Sequence, residues 1–126
     1  MSSVLRVGTS KTENVDNWSA GGLAIGIKEN GFLKKYGFYN PAYGIKAEAH
    51  PDTKIVFSEF RIPMYKEALE LACKAHRCFC GIRAIGWDIA ISDSGLVFVE
   101  GNDNFGICVH QACDRPLRKE WAEACN

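Results

Sequence analysis

Residues 84–102 read AIGWDIAISDSGLVFVEGN. Two runs rich in Ile, Val, Phe and Trp flank Asp93-Ser94-Gly95, the composition of two β-strands joined by a tight turn. A glycine in last place takes the left-handed backbone that closes a three-residue hairpin loop. Pairing centred on Ser94 sets Asp88 directly opposite Glu100 on one face of the hairpin. Asn102 falls on the same face, with Ala90, Ser92, Leu96 and Phe98. Trp87, Ile89, Ile91, Val97 and Val99 then form the opposite face, an apolar surface suited to packing against a helix.

Like charges directly opposite in a ladder repel. A folded protein keeps such a pair when one carboxylate holds a proton or when a cation sits between them. Two carboxylates and an amide carbonyl are hard oxygen donors, which suit Mg²⁺ or Mn²⁺ and not zinc. Two other readings fit the same residues. One is a solvated polar face on which the carboxylates meet water or an arginine such as Arg83. The other is a general acid/base pair, although side chains on paired strands are closer than the inverting form of glycoside hydrolysis requires.

Upstream of the hairpin, Pro63 suits the first position of a helix, where its missing N–H has no partner to lose. Met64, Ala68, Leu71, Ala72, Ala75 and Phe79 recur at helical spacing, and Gly81 ends the pattern. Lys66, Glu70 and Lys74 share the other face, with Glu70 to Lys74 in the favourable ion-pair order. A shorter helix is expected from Pro116 through Trp121. Strands are expected at Val4–Val7 and along the LAIGIK run after Gly21-Gly22, which ends at the turn Glu29-Asn30-Gly31. Thr9–Ala20 reads as polar and turn-rich, Phe32–Gly44 as a loop or short hairpin, and His50-Pro51-Asp52-Thr53 as a turn. The sum is an α+β fold, a mainly antiparallel sheet with packed helices, backed by the Pro63 helix.

With 47% apolar and 24% charged residues, the 126-residue chain has the make-up of a globular domain or part of one, not of a disordered segment. Fifteen basic and fifteen acidic residues cancel, which removes the one-signed surface that nucleic-acid or polybasic membrane binding needs. No apolar run approaches the roughly 20 residues of a membrane span, and the first residues lack a secretion signal's apolar stretch, so a cytoplasmic location is expected. The six cysteines are then expected as reduced, buried thiols. A zinc site using His76, Cys78, Cys80 and Cys108 or Cys113 is the alternative, without the usual C-x-x-C spacing.

The order Ile85-Gly86-Trp87-Asp88, turn, Val99-Glu100-Gly101-Asn102 resembles the C-terminal metal-binding signature of ATP-grasp enzymes. Within them it is most similar to the sugar-transfer-associated family, related to α-L-glutamate ligases. Val15-Asp16-Asn17 before Gly21-Gly22, His50-Pro51-Asp52-Thr53 and Ile62-Pro63 follow the same family order, more loosely. The resemblance implies that Asp88, Glu100 and Asn102 hold Mg²⁺ (or Mn²⁺) against ATP phosphates. It implies an amide-forming ligation through an acyl phosphate, on a small-molecule or sugar-linked substrate and in polysaccharide biosynthesis. Arg6 resembles a family arginine placed near phosphates or the acyl intermediate, with a surface residue after a strand as the other reading. Asn17 either contacts phosphate or substrate or makes a turn leading to Gly21-Gly22. Lys11, Lys28, Lys34 and Lys35 do not fall where the family's nucleotide-clamping lysines belong. Residues 1–126 are therefore expected to form the C-terminal subdomain of an ATP-grasp domain without its N-terminal ATP-clamp half. The alternative to a ligase is a non-catalytic remnant or partner-dependent half-enzyme that binds metal only.

Overall fold

A computed structural model describes residues 1–12, 18–40 and 44–125, with the side chains of 19, 124 and 125 left aside. The chain divides into two compact units, Met1–Ile62 with Ile107–Leu117, and Pro63–Gly106 with the residues from Arg118 onward.

The first unit holds an antiparallel meander of β1 (Val4–Val7), β2 (Leu23–Ile27), β3 (Leu33–Phe38) and β4 (Lys46–Ala47). The β1 and β2 strands and the 51–53 turn stand where the sequence puts them. Phe32–Gly44 does not: it contains a six-residue strand, β3, which pairs Ile25 with Gly37 and Ile27 with Leu33. Leu23, Ala24 and Ile25 are fully buried, with Leu33, Phe57, Ile62 and Leu117 around them. Burying such side chains stabilises by roughly 1.5–3 kcal/mol each. A short helix, α2 (Cys108–Cys113), lies on the β2 strand, where the Cys113 thiol donates to the Ala24 carbonyl at 3.3 Å. Gly26 makes this approach possible, because a Cβ there would stand 2.4 Å from the Cys113 carbonyl oxygen.

One polar cluster secures α2. The Asp114 carboxylate, its side chain 7% exposed, accepts from Lys34 Nζ at 2.7 Å, Ser2 Oγ at 2.7 Å and Arg115 Nη1 at 3.0 Å. Burial alone would raise its pKa, but the hydrogen bonds from Lys34 and Ser2, with the two cations, outweigh burial and hold it below the ordinary carboxylate value.

The second unit contains α1 (Tyr65–His76), a hairpin of β5 (Gly86–Ser92) and β6 (Gly95–Asn102), and α3 (Arg118–Cys125). The α3 helix matches the expected C-terminal helix. α1 starts two residues later than expected: Pro63 and Met64 form a turn, Met64 in the left-handed region at φ 51°, and Tyr65 is the first helical residue. The helix ends at His76, with a last helical bond from Arg77 N to Cys73 O, and tightens into turns, Cys78 N to Ala75 O and Phe79 N to His76 O, before Gly81 at φ +88°. The ion pair formed on its exposed face is Lys66–Glu70 at 3.8 Å, not Glu70–Lys74. The fold class is α+β with antiparallel sheets, as expected, but the strands form two sheets where one was expected. No helix among the described residues is long and apolar enough to cross a membrane.

Candidate metal and nucleotide site on the hairpin

The hairpin turn is tighter than the sequence suggests. Ser92 pairs with Gly95, leaving a two-residue loop of Asp93 and Ser94. Ser92 Oγ closes it, donating to the Gly95 carbonyl at 2.9 Å. With that loop alone Asp88 would miss Glu100 by one position. A bulge corrects the register: Ile89 pairs with Phe98, Asp88 pairs with Glu100, and Val99 is the extra residue between them. The facing carboxylates therefore stand as expected, brought there by the bulge.

The bulge also exchanges side chains between faces. Leu96 and Phe98 join Trp87, Ile89 and Ile91 on the apolar face, while Val97, opposite Ala90, lies with the carboxylates. Rings bear this out: Trp87 packs on Phe98 at 5.0 Å between centroids and on Phe79 at 5.7 Å. Gly101 was passed over in the sequence and has a clear task. It lies opposite Trp87, and a Cβ on it would be 2.5 Å from the indole ring. Glycine lets the indole lie across the strand while Glu100 and Asn102, on either side, both present to the other face. A bulky aromatic opposite glycine in paired strands is the signal that finds it.

On the carboxylate face Asn102 Nδ2 donates to Glu100 Oε1 at 3.0 Å, so the amide and one carboxylate are already coupled. Glu100 and Asn102 are exposed and Asp88 is half-buried. Asp88, Glu100 and Asn102 are thus brought together on one hairpin. Arg6 belongs to the first unit, exposed within β1 and opposite Ala24, not after the strand. Asn17 lies outside the described residues.

The donor set fits a nucleotide-bound metal better than a metal held by protein alone. No three His, Cys, Asp or Glu side chains among the described residues converge as a metal group. Mg²⁺ keeps several waters and is typically held by one or two carboxylates plus substrate phosphates, which is what two facing carboxylates and an amide offer. Among the cysteines whose side chains are described, none joins a metal group, and the expectation of buried thiols is met at Cys113 only. Cys78, Cys80 and Cys108 are exposed and Cys73 is half-buried. Cys113 is pushed up to about 11, chiefly by burial and then by neighbouring Asp114, with Lys34 opposing.

Paired carboxylates and an Asn thus share one face of a hairpin in an α+β chain. Residues 1–125 match the sugar-transfer associated ATP-grasp family, and the chain belongs to it, with the ATP-binding, ligase-type fold of ATP-grasp proteins. No curated protein and no solved structure matches the chain.

Proposed function

We propose that this chain carries the metal–phosphate site of an ATP-dependent carboxylate–amine ligase, and that Asp88, Glu100 and Asn102 are the side chains that hold Mg²⁺ or Mn²⁺. The observation that carries the reading is the bulge at Val99, which spends a residue to set Asp88 opposite Glu100. When bound, the metal would neutralise triphosphate charge and fix the γ-phosphoryl group for attack. Asp88 and Glu100 supply the anionic ligands. Asn102, by donating Nδ2 to Glu100, orients that carboxylate and leaves its carbonyl as a third oxygen donor. Arg6 is proposed to meet phosphate or acyl-phosphate oxygens, for which a guanidinium is suited by its fork of donors.

In the reaction so read, a carboxylate oxygen attacks the γ-phosphorus, ADP leaves, and an amine displaces phosphate from the acyl phosphate to form the amide. A substrate linked to sugar or polysaccharide chemistry accords with the family's description. A cytoplasmic setting accords with the use of ATP. Nucleotide closure is assigned to a lysine-bearing lobe other than the two units described. A second reading, metal binding without turnover by this chain alone, draws support from the exposure of apolar Val97, Phe98 and Val99 on the hairpin.

Manganese supplies the test, because its unpaired electrons broaden NMR signals of nearby nuclei. With ADP present, Mn²⁺ should broaden the amides of Asp88, Glu100, Gly101 and Asn102 first, and Glu100→Gln should remove the effect. Broadening that is unchanged in the variant, or that starts elsewhere in the chain, would remove these residues from the site.

A further inference from the structure

Two glycines stand at the open end of the hairpin, Gly86 in β5 and Gly101 in β6. Gly101 admits the Trp87 indole on the apolar face. Gly86 shares the other face with Asp88, since alternate residues of a strand point the same way. A Cβ on Gly86 would stand 2.6 Å from Phe105 Cγ and 2.7 Å from Phe105 Cβ, closer than side chains tolerate. Glycine within a strand marks a close approach. What approaches here is the Phe105 ring, on the carboxylate face.

The chain reaches that position by folding back. β6 ends at Asn102, Asp103 and Asn104 form a bend, and Phe105 returns over the base of β5. Gly86 is the cross-strand partner of Asn102. Cβ positions of such partners lie about 4.5–5.5 Å apart, so the ring stands next to the Asn102 side chain. From its other side Trp121 of α3 meets Phe105 edge-on, 5.6 Å between centroids at 83°. Both rings are half-buried, whereas Glu100 and Asn102 are exposed, and all these residues belong to the second unit.

We infer that Phe105 is a positioning residue for the metal site: wedged between Gly86 and Trp121, its ring closes the open end of the hairpin and fixes the Asn102 side chain. The inference rests on the hairpin being the metal–nucleotide site. A sheet of two strands has no third strand to hold its end, and Asn102 is the last residue of β6. Without a ring beside it, an exposed asparagine at a strand end samples several rotamers. The 3.0 Å bond from its Nδ2 to Glu100 Oε1 would then be made only part of the time. Phe105 offers no ligand atom. It acts through Asn102, which in turn orients Glu100.

Two measurements on the full chain test this. Without ligand, ¹⁵N relaxation of the Asn102 side-chain amide reads how firmly that side chain is held. Phe105→Ala should release it, Phe105→Tyr should keep it held, and the Ser92 and Gly95 amides at the far end of the hairpin should not change. Phe105→Leu keeps apolar volume without a flat ring; it guards against a Phe105→Ala chain that fails to fold, and should release Asn102 too. With Mn²⁺–ADP, Phe105→Ala should weaken binding roughly 10–100-fold, the size expected for a residue that orients a metal ligand. That loss should not add to the loss from Asn102→Ala in the double variant, because both act through one side chain. An Asn102 amide held equally firmly without the ring would overturn the inference, as would losses that add. A native chain in which the ring holds Asn102 but Mn²⁺–ADP does not bind would leave the clamp standing and sink the hairpin reading instead.

Discussion

β2 and β6 are both apolar strands of similar composition, and they fare oppositely. Leu23, Ala24 and Ile25 of β2 are fully buried, held between neighbouring strands and backed by α2. In β6, Val97, Phe98 and Val99 stay 49%, 37% and 66% exposed, in a sheet of two strands. Two-stranded hairpins are marginal by themselves. What fixes β6 is local: a two-residue turn, one bulge, and an indole lying over Gly101. Burial therefore sets β2 and geometry sets β6. Of the two strands compared, the one that carries Glu100 rests less on buried side chains.

Four substitutions can break or sharpen that contrast. Ile25→Ala should cost the first unit about 2–5 kcal/mol, from lost burial and the cavity left behind. Hydrogen exchange of β2 amides measures it, and a loss as small as for an exposed strand would erase the comparison. Asp114→Asn should cost about 1.5–3 kcal/mol at neutral pH, by removing a charged acceptor shared among Ser2, Lys34 and Arg115. The sign follows from its lowered pKa: the ionised carboxylate stabilises above its ordinary value of 3.8, and that contribution fades as pH falls through the folded value. The variant should thus show a flatter stability profile below about pH 4, and an unchanged acid limb in a urea titration would refute the role.

Gly101→Ala should cost the hairpin about 1–3 kcal/mol, because the Trp87 ring must move. Faster exchange confined to β5 and β6 is the expected readout. The smallest effect is expected at the bulge itself, where Val99→Thr should stay within about 0.5 kcal/mol. A large loss there would mean that Val99 is covered in solution.

Several elements were legible in the sequence: β1 as a short apolar run, β2 and the hairpin strands from their β-rich composition, and α3 as a helix following Pro116. β3 was not, because LKKYGF mixes lysines with a glycine and becomes a strand through pairing with β2. α2 was not either, being six residues long with no side-chain cap. Pro63 read as a helix start, yet the chain turns once more through Met64 before Tyr65. The facing of Asp88 and Glu100 was legible, but through a three-residue turn that does not form. A two-residue loop and a one-residue bulge give the same pairing, and side-chain types alone do not tell the two apart. A three-residue turn would put Leu96 and Phe98 with the carboxylates and Val97 on the apolar face, and the observed register reverses all three. The tie between the 9–12 and 50–53 turns had no sequence signal, since Ser10 and Asp52 stand 42 residues apart.

The central claim is that the hairpin binds a metal–nucleotide pair. Calorimetric titration of Mg²⁺–ADP into the chain, beside an Asp88→Asn/Glu100→Gln double variant, tests it most directly. Saturable, Mg²⁺-dependent heat in the native chain that disappears in the double variant is the predicted result. Equal binding by both proteins would contradict the assignment.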